Sequence, residues 1–235
     1  MYKLFHKKSF YICTILPILI FLGLTVSFSL IMGDGVVEFL PTILTTAIPS
    51  SLMIMVMGVF TALYVTEDFS DHAMKNIVAR GYSRSMIFIT KYLVSTIAVV
   101  IMAVLLLVAG AISGIVLGSS GSFSSLTAAT LFTQVVIIVA VNTLYFSASM
   151  VLRKSGASLA FIVLAPSVVS LLLRLIPAFI KKLPFDPAEY WLDGLLEQTE
   201  NIKNFAAVTR LLTVSACYIV VLTIAGYFLF RKKDY

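Results

Sequence analysis

The chain has 235 residues, 60% hydrophobic and 12% charged, with a formal net charge of +6. Globular domains run at roughly 45–50% apolar and roughly 25% charged, so a soluble core could not hide this much apolar surface, and the mean hydropathy of +1.05 agrees. A soluble enzyme, a disulfide-stapled secreted domain and a disordered chain are excluded, which leaves an integral membrane protein.

The apolar runs are long and continuous rather than alternating. In hydrocarbon every backbone group must be satisfied internally, and about 20 residues of helix cross the bilayer core. The fold class is therefore all-α, a polytopic membrane protein forming a single domain over 1–235. The first span is about 10–32. It follows Lys3, Lys7 and Lys8, is longer than a signal-peptide core and ends without a small-x-small cleavage pattern, so it reads as a retained span. The second is about 40–65, and a charged segment, 66–91, follows it. No charged residue occurs from Tyr92 to Leu152, and the Ser/Gly-rich stretch around Gly121 divides that run into spans of about 92–118 and 126–152. Arg153-Lys154-Ser155-Gly156 is a short basic turn before a fifth span, about 157–176. A polar, acidic segment leads to the sixth, about 208–230, which Arg231-Lys232-Lys233 stops. Cys13 and Cys217 both fall in apolar runs and suggest neither a disulfide framework nor a metal site.

The positive-inside rule orients these spans. With both termini cytoplasmic, twelve of the seventeen basic residues lie inside and seven of the eleven acids lie outside. The basic balance is thus explained by the membrane and does not call for nucleic acid. Between the fifth and sixth spans, Asp186-Pro187 is a good helix start. Trp191, Leu192, Leu195 and Leu196 then share a face, which predicts a short amphipathic helix at the outer surface or dipping into it.

The segment after the second span has acids first and bases later, as the helix dipole favours. Phe69, Ala73, Ile77, Val78 and Gly81 recur at helical spacing. Gly81 suits a C-terminal stop and Ser83 an N-cap for the next helix. This predicts a short cytoplasmic helix tightly joined to two spans, a piece able to transmit force or simply to anchor the loop.

Glu67, Ala73-Met74-Lys75-Asn76, Gly81, Arg84, Ile87 and Lys91 together resemble the loop of type-2 ATP-binding-cassette (ABC) exporter permeases. That pattern is an acid, Gly-Thr-Lys or a variant, a hydrophobic turn, Gly-x-x-Arg, and a Lys opening the third span. The chain departs from it at His72-Ala73-Met74, where Gly-Thr is common. The likeness extends to six spans, cytoplasmic termini and a longer outer segment before the last span. It implies a coupling helix docking on a separate ATPase subunit, with Glu67, Lys75, Arg80, Gly81 and Arg84 as contact or positioning residues. It further implies a second permease chain, identical or sister, and export of an amphipathic or hydrophobic cargo such as an antimicrobial peptide or drug. The location implied is the cell membrane, as in the bacterial cytoplasmic membrane.

The sequence has no Gly-Lys-Ser or Gly-Lys-Thr phosphate cradle, so the chain is not itself expected to be an ATPase. ATP and magnesium would be held by the partner. Gly110, Gly114 and Gly118 form a small-residue stripe that admits another helix, either a neighbouring span or a second chain. Gln134 and Asn142, with Tyr145, lie towards one side of the fourth span. They are candidates for a translocation path or for hydrogen bonds between helices. An ion-coupled carrier is disfavoured because no span carries an interior Asp or Glu. An intramembrane enzyme is disfavoured because both histidines, His6 and His72, lie on the cytoplasmic side. A non-transporting sensor or assembly subunit is the other alternative.

Overall fold

A computed structural model describes residues 8–32, 51–70, 81–116, 124–179, 187–200, 202 and 204–232. All regular structure among them is helical: α1 (Lys8–Met32), α2 (Ser51–Ser70), α3 (Arg84–Val116), α4 (Ser125–Leu152), α5 (Ser155–Phe179), a 3-10 turn (Pro187–Tyr190), α6 (Leu192–Thr199) and α7 (Phe205–Lys232). Arg84–Val116, Ser125–Leu152, Ser155–Ile176 and Phe205–Lys232 are long and apolar enough to cross a membrane. The shorter apolar stretch Phe10–Thr25 lies in α1. Residues 40–50 of the expected second span lie outside the described residues.

The fourth helix is the centre. It packs against α2, α3, α5, α6 and α7, while α1 leans on α2 and α3 from the side. Of its most apolar stretch 61% is buried inside the protein, against 6% for α5 and 17% for α7. The exposed faces of α5 and α7 are themselves apolar, with Leu164, Leu171, Leu172, Val221, Ile224 and Phe228 outward. Such faces suit hydrocarbon rather than water. Ser124 caps α4, its Oγ accepting from Thr127 N at 3.1 Å.

Several boundaries differ from the sequence reading; α2 runs on to Ser70 and α7 already begins at Phe205. The third helix begins at Arg84, eight residues before the expected span, capped by Ser83 Oγ accepting from Met86 N at 3.3 Å. Its 33 residues give a length of about 50 Å. The turn after α4 is shorter than expected, because α5 already starts at Ser155. Arg153, not a glycine, takes the left-handed conformation there, with φ 60° and its N–H on Ser149 O at 3.0 Å.

The expected amphipathic helix also starts later than Asp186-Pro187 suggests. Pro187 opens the 3-10 turn instead, and α6 begins after Trp191; Asp186 lies outside the described residues. Its apolar face turns into the bundle. Leu192, Leu195 and Leu196 pack with Ile137, Val141 and Tyr145 of α4. Gly194 permits this fit, because a Cβ there would fall 2.1 Å from Ala188 O in the 3-10 turn.

Candidate functional site

The charged segment after α2 was the most informative stretch of the sequence, and its two roots are described. The second helix runs on through Ser70, so Glu67 and Phe69 belong to α2 itself rather than to a separate helix. What favours this is Lys91 of α3, the residue just before the expected start of the third span. Its Nζ lies 2.5 Å from Asp68 Oδ2, and both side chains are nearly buried. The Lys91 ammonium also lies 5.6 Å from the Tyr64 ring centre and 6.0 Å from that of Phe69. Arg153 lies 5.8 Å from the same Phe69 ring. Two opposite charges taken out of water together, with aromatic faces over the cation, replace part of the hydration each has lost.

The joint is wider than this pair. Arg84 donates from Nη1 to Arg231 O of α7 at 3.2 Å, and the Ser85 and Tyr227 hydroxyls are 2.7 Å apart. Behind them Phe88 meets Phe146, Tyr227 and Phe230 at centroid distances of 5.3, 5.8 and 5.9 Å. The ends of α2, α3, α4 and α7 are thus fastened into one base. Gly81 has φ +86°, a conformation that favours glycine and suits a helix stop. Glu67 is half-buried. Lys75 and Arg80, and the helix that would carry them, lie outside the described residues.

Read from the sequence, Lys91 closes the charged segment and, through the resemblance, opens the third span, with nothing to pair it with Asp68. Tyr64 was read simply as part of the second span. The available signal was an acid and a base flanking two apolar spans with aromatics beside them.

The candidate path residues sit inside the bundle. Asn142 Oδ1 accepts from Thr61 Oγ1 at 2.7 Å and from Ser95 Oγ at 3.3 Å, and Asn142 Nδ2 donates to Thr96 Oγ1 at 3.4 Å. This one side chain therefore links α2, α3 and α4. Gln134 is fully buried and donates from Nε2 to Thr199 Oγ1 of α6 at 3.0 Å. Tyr145 is buried against Gly58, where a Cβ would come within 2.8 Å of its ring. The cavity beside Asn142 and Tyr145 measures about 10 Å³ and is otherwise apolar. That volume is at the lower limit for one water. Within this single chain, the three residues hold helices together.

Gly110 and Gly114 are buried on α3, and Gly118 lies outside the described residues. Two isolated glycines that the spacing argument passed over make close contacts. One is Gly58; the other is Gly226, where a Cβ would fall 2.4 Å from Ser147 Oγ. Cys13 is buried, Cys217 is exposed, and both are free thiols. Among the described residues no three His, Cys, Asp or Glu side chains gather to hold a metal.

On the other side of the bundle, a cavity of about 480 Å³ opens between the end of α5, the 3-10 turn, α6 and the start of α7. Arg174, Glu189, Glu197 and Gln198 line it, with Ile202, Ala207 and Leu211 as its apolar part. Arg174 Nη2 lies 3.2 Å from Glu197 Oε1. Arg210 Nη2 donates to Gln198 Oε1 at 2.5 Å and lies 4.0 Å from Glu189 Oε2. Asp193 is partly buried beside Trp191. Burial raises its carboxyl above the usual range, the Trp191 side chain opposes this, and Glu197 and Arg174 act in opposite directions.

Comparison with curated proteins and with solved structures finds no match. A family model does match, over residues 10–235 and so over nearly the whole chain. The chain belongs to the family described as "Protein of unknown function (DUF2705)".

Proposed function

We propose that this chain is the membrane-spanning permease subunit of a type-2 ABC exporter. It would cross the membrane six times with both termini in the cytoplasm and would pair with a second permease chain, identical or sister. Separate ATPase subunits would bind ATP and magnesium. The observation that carries the reading is the joint between α2 and α3. The loop that resembles a coupling helix springs from two helices clamped by Asp68 and Lys91. A helix pushed by an ATPase transmits force only if its roots move as one body, and a buried, hydrogen-bonded base resists bending at the roots.

In this mechanism, ATP-driven closure of the ATPase pair displaces the segment containing Lys75 and Arg80. Gly81 and Arg84 pass the displacement to α3, and Glu67 and Asp68 pass it to α2. The bundle then tilts against its partner chain and opens the path between the two chains outward. Cargo of amphipathic or hydrophobic character, such as an antimicrobial peptide or drug, would enter from the inner leaflet or the cytoplasm.

The test is purification of the tagged full-length chain in mild detergent from its native membrane, with mass spectrometry of what accompanies it. A stoichiometric P-loop ATPase supports the reading. A chain that emerges alone, intact and folded would sink it and favour a sensor or carrier.

A further inference from the structure

We propose that the outer cavity and the face of α7 beneath it form a binding site for a single zwitterionic phospholipid of the phosphoethanolamine class. This inference rests on the chain's being membrane-embedded and does not depend on the exporter reading.

The cavity of about 480 Å³ falls within the size range of ligand sites, roughly 300–1,000 Å³. Its lining carries one guanidinium, Arg174, and two carboxylates, Glu189 and Glu197, and Arg210 at the edge adds a second guanidinium. Arg174 arrives from α5 and Glu197 from α6, while Arg210, at the edge, meets Gln198 and Glu189. A site with two guanidinium groups and two carboxylates is dipolar, and it complements a group carrying both a phosphate and an ammonium. The Arg174 and Arg210 side chains remain 58% and 49% exposed, and the contacts described use only one Nη atom of each. A guanidinium has five N–H donors in a planar fork suited to phosphate. Exposed ion pairs of this kind are weak, typically worth about 0–1 kcal/mol, so a headgroup can insert between the partners.

The second observation concerns the continuation of the site. A separate apolar groove of about 310 Å³ is lined by Thr213, Val214, Cys217, Tyr218 and Val221 of α7. Arg210, Thr213, Val214, Cys217 and Val221 fall on one stripe of the helix. Tyr190 stands between the two spaces. Its ring lies under Arg210 at 5.5 Å, and its carbonyl accepts from Tyr218 Oη at 3.0 Å. A polar pocket edged by Arg210 and an apolar groove on the helical stripe that Arg210 heads together describe an amphiphile. The ammonium N–H groups would donate to Glu189 and Glu197, the phosphate would accept from Arg210 and Arg174, and one acyl chain would lie along the groove.

The experiment uses the full-length chain, delipidated in detergent and titrated separately with three lipids of equal chain length. These carry phosphoethanolamine, phosphocholine and phosphoglycerol headgroups, and native mass spectrometry reads the bound stoichiometry. One phosphoethanolamine lipid per chain is expected to bind in preference to the other two. Arg210→Gln and Arg174→Gln should each weaken it about tenfold, the size of one charge-assisted hydrogen bond. Cys217→Trp, which fills the groove, should weaken the lipid but not soluble glycerophosphoethanolamine. The two arginine variants provide independent readings if one fails to fold. Equal binding of all three lipids, undiminished in the folded arginine variants, would show annular lipid only and overturn the proposal. Soluble headgroup binding as tightly as the lipid would overturn it too, because the groove would then contribute nothing.

Discussion

Lys91 and Asp68 meet at 2.5 Å across the joint between α3 and α2, with side chains 9% and 12% exposed. The pair explains why helix continues on both sides of a boundary where charge would ordinarily mark its end. Removing one partner leaves the other charge buried and alone, at a cost of about 3–5 kcal/mol. Lys91→Met and Asp68→Leu should each be destabilising on that scale. The double variant should recover most of the loss, since apolar replacements satisfy each other. Unfolding in mixed micelles, analysed as a double-mutant cycle, measures this. Additive losses would mean that the two charges are independent.

The glycines give a sharper contrast. Gly194→Ala drives a methyl to 2.1 Å from Ala188 O, so the 3-10 turn and α6 must separate. A loss of about 1–3 kcal/mol is expected. Gly156→Ala, in α5, meets nothing within 4 Å and has no unusual φ. It should leave stability unchanged or raise it by up to about 1 kcal/mol, since alanine is the better helix former. Thermal unfolding of the two variants side by side checks the ordering.

Asp193 predicts a pH dependence. Its folded-state pKa is raised from 3.8, chiefly by burial. The folded state therefore holds the proton to higher pH than the unfolded chain. The favourable contribution is complete below pH 3.8 and is lost as pH rises through the folded value. Asp193→Asn should accordingly be more stable than the parent at pH 7.5, with the difference vanishing near pH 3.5. A constant difference across that range would assign the effect to packing rather than to charge.

The exporter reading makes its own prediction. Lys75→Glu or Arg80→Glu should lower cargo-stimulated ATPase activity and transport while leaving the amount of chain in the membrane unchanged. Arg84→Glu should lower activity and also reduce the amount of folded chain, because Arg84 ties α3 to Arg231 O of α7. Unchanged transport and ATPase activity in the first two variants would remove the coupling role.

The long apolar runs made the helices legible, because twenty apolar residues leave few alternatives to a buried helix. Their ends were less legible. The start of α3 depended on where Lys91 finds an anion, and Asp68 lies 23 positions earlier in another helix. The apolar face of α6 could be read from Leu192, Leu195 and Leu196. Its direction could not, since that is set by contacts with Ile137 and by the Gln134–Thr199 bond. Repetition drew attention to Gly110 and Gly114. The tight approaches at Gly58, Gly194 and Gly226 come from one or two residues of other elements and leave no periodic trace. Arg153 in the left-handed region gave no signal, because a bulky residue is rarely found there.

The central position of α4 has a consequence for biosynthesis. Gln134 and Ser147 point towards α6 and α7, so two of its polar groups find their partners only in segments translated later. Until residues 205–232 emerge and dock, that flank of α4 faces lipid or an insertion chaperone. A chain stalled before residue 205 would hold Gln134 and Thr199 together but leave Ser147 without its acceptor, Leu222 O of α7.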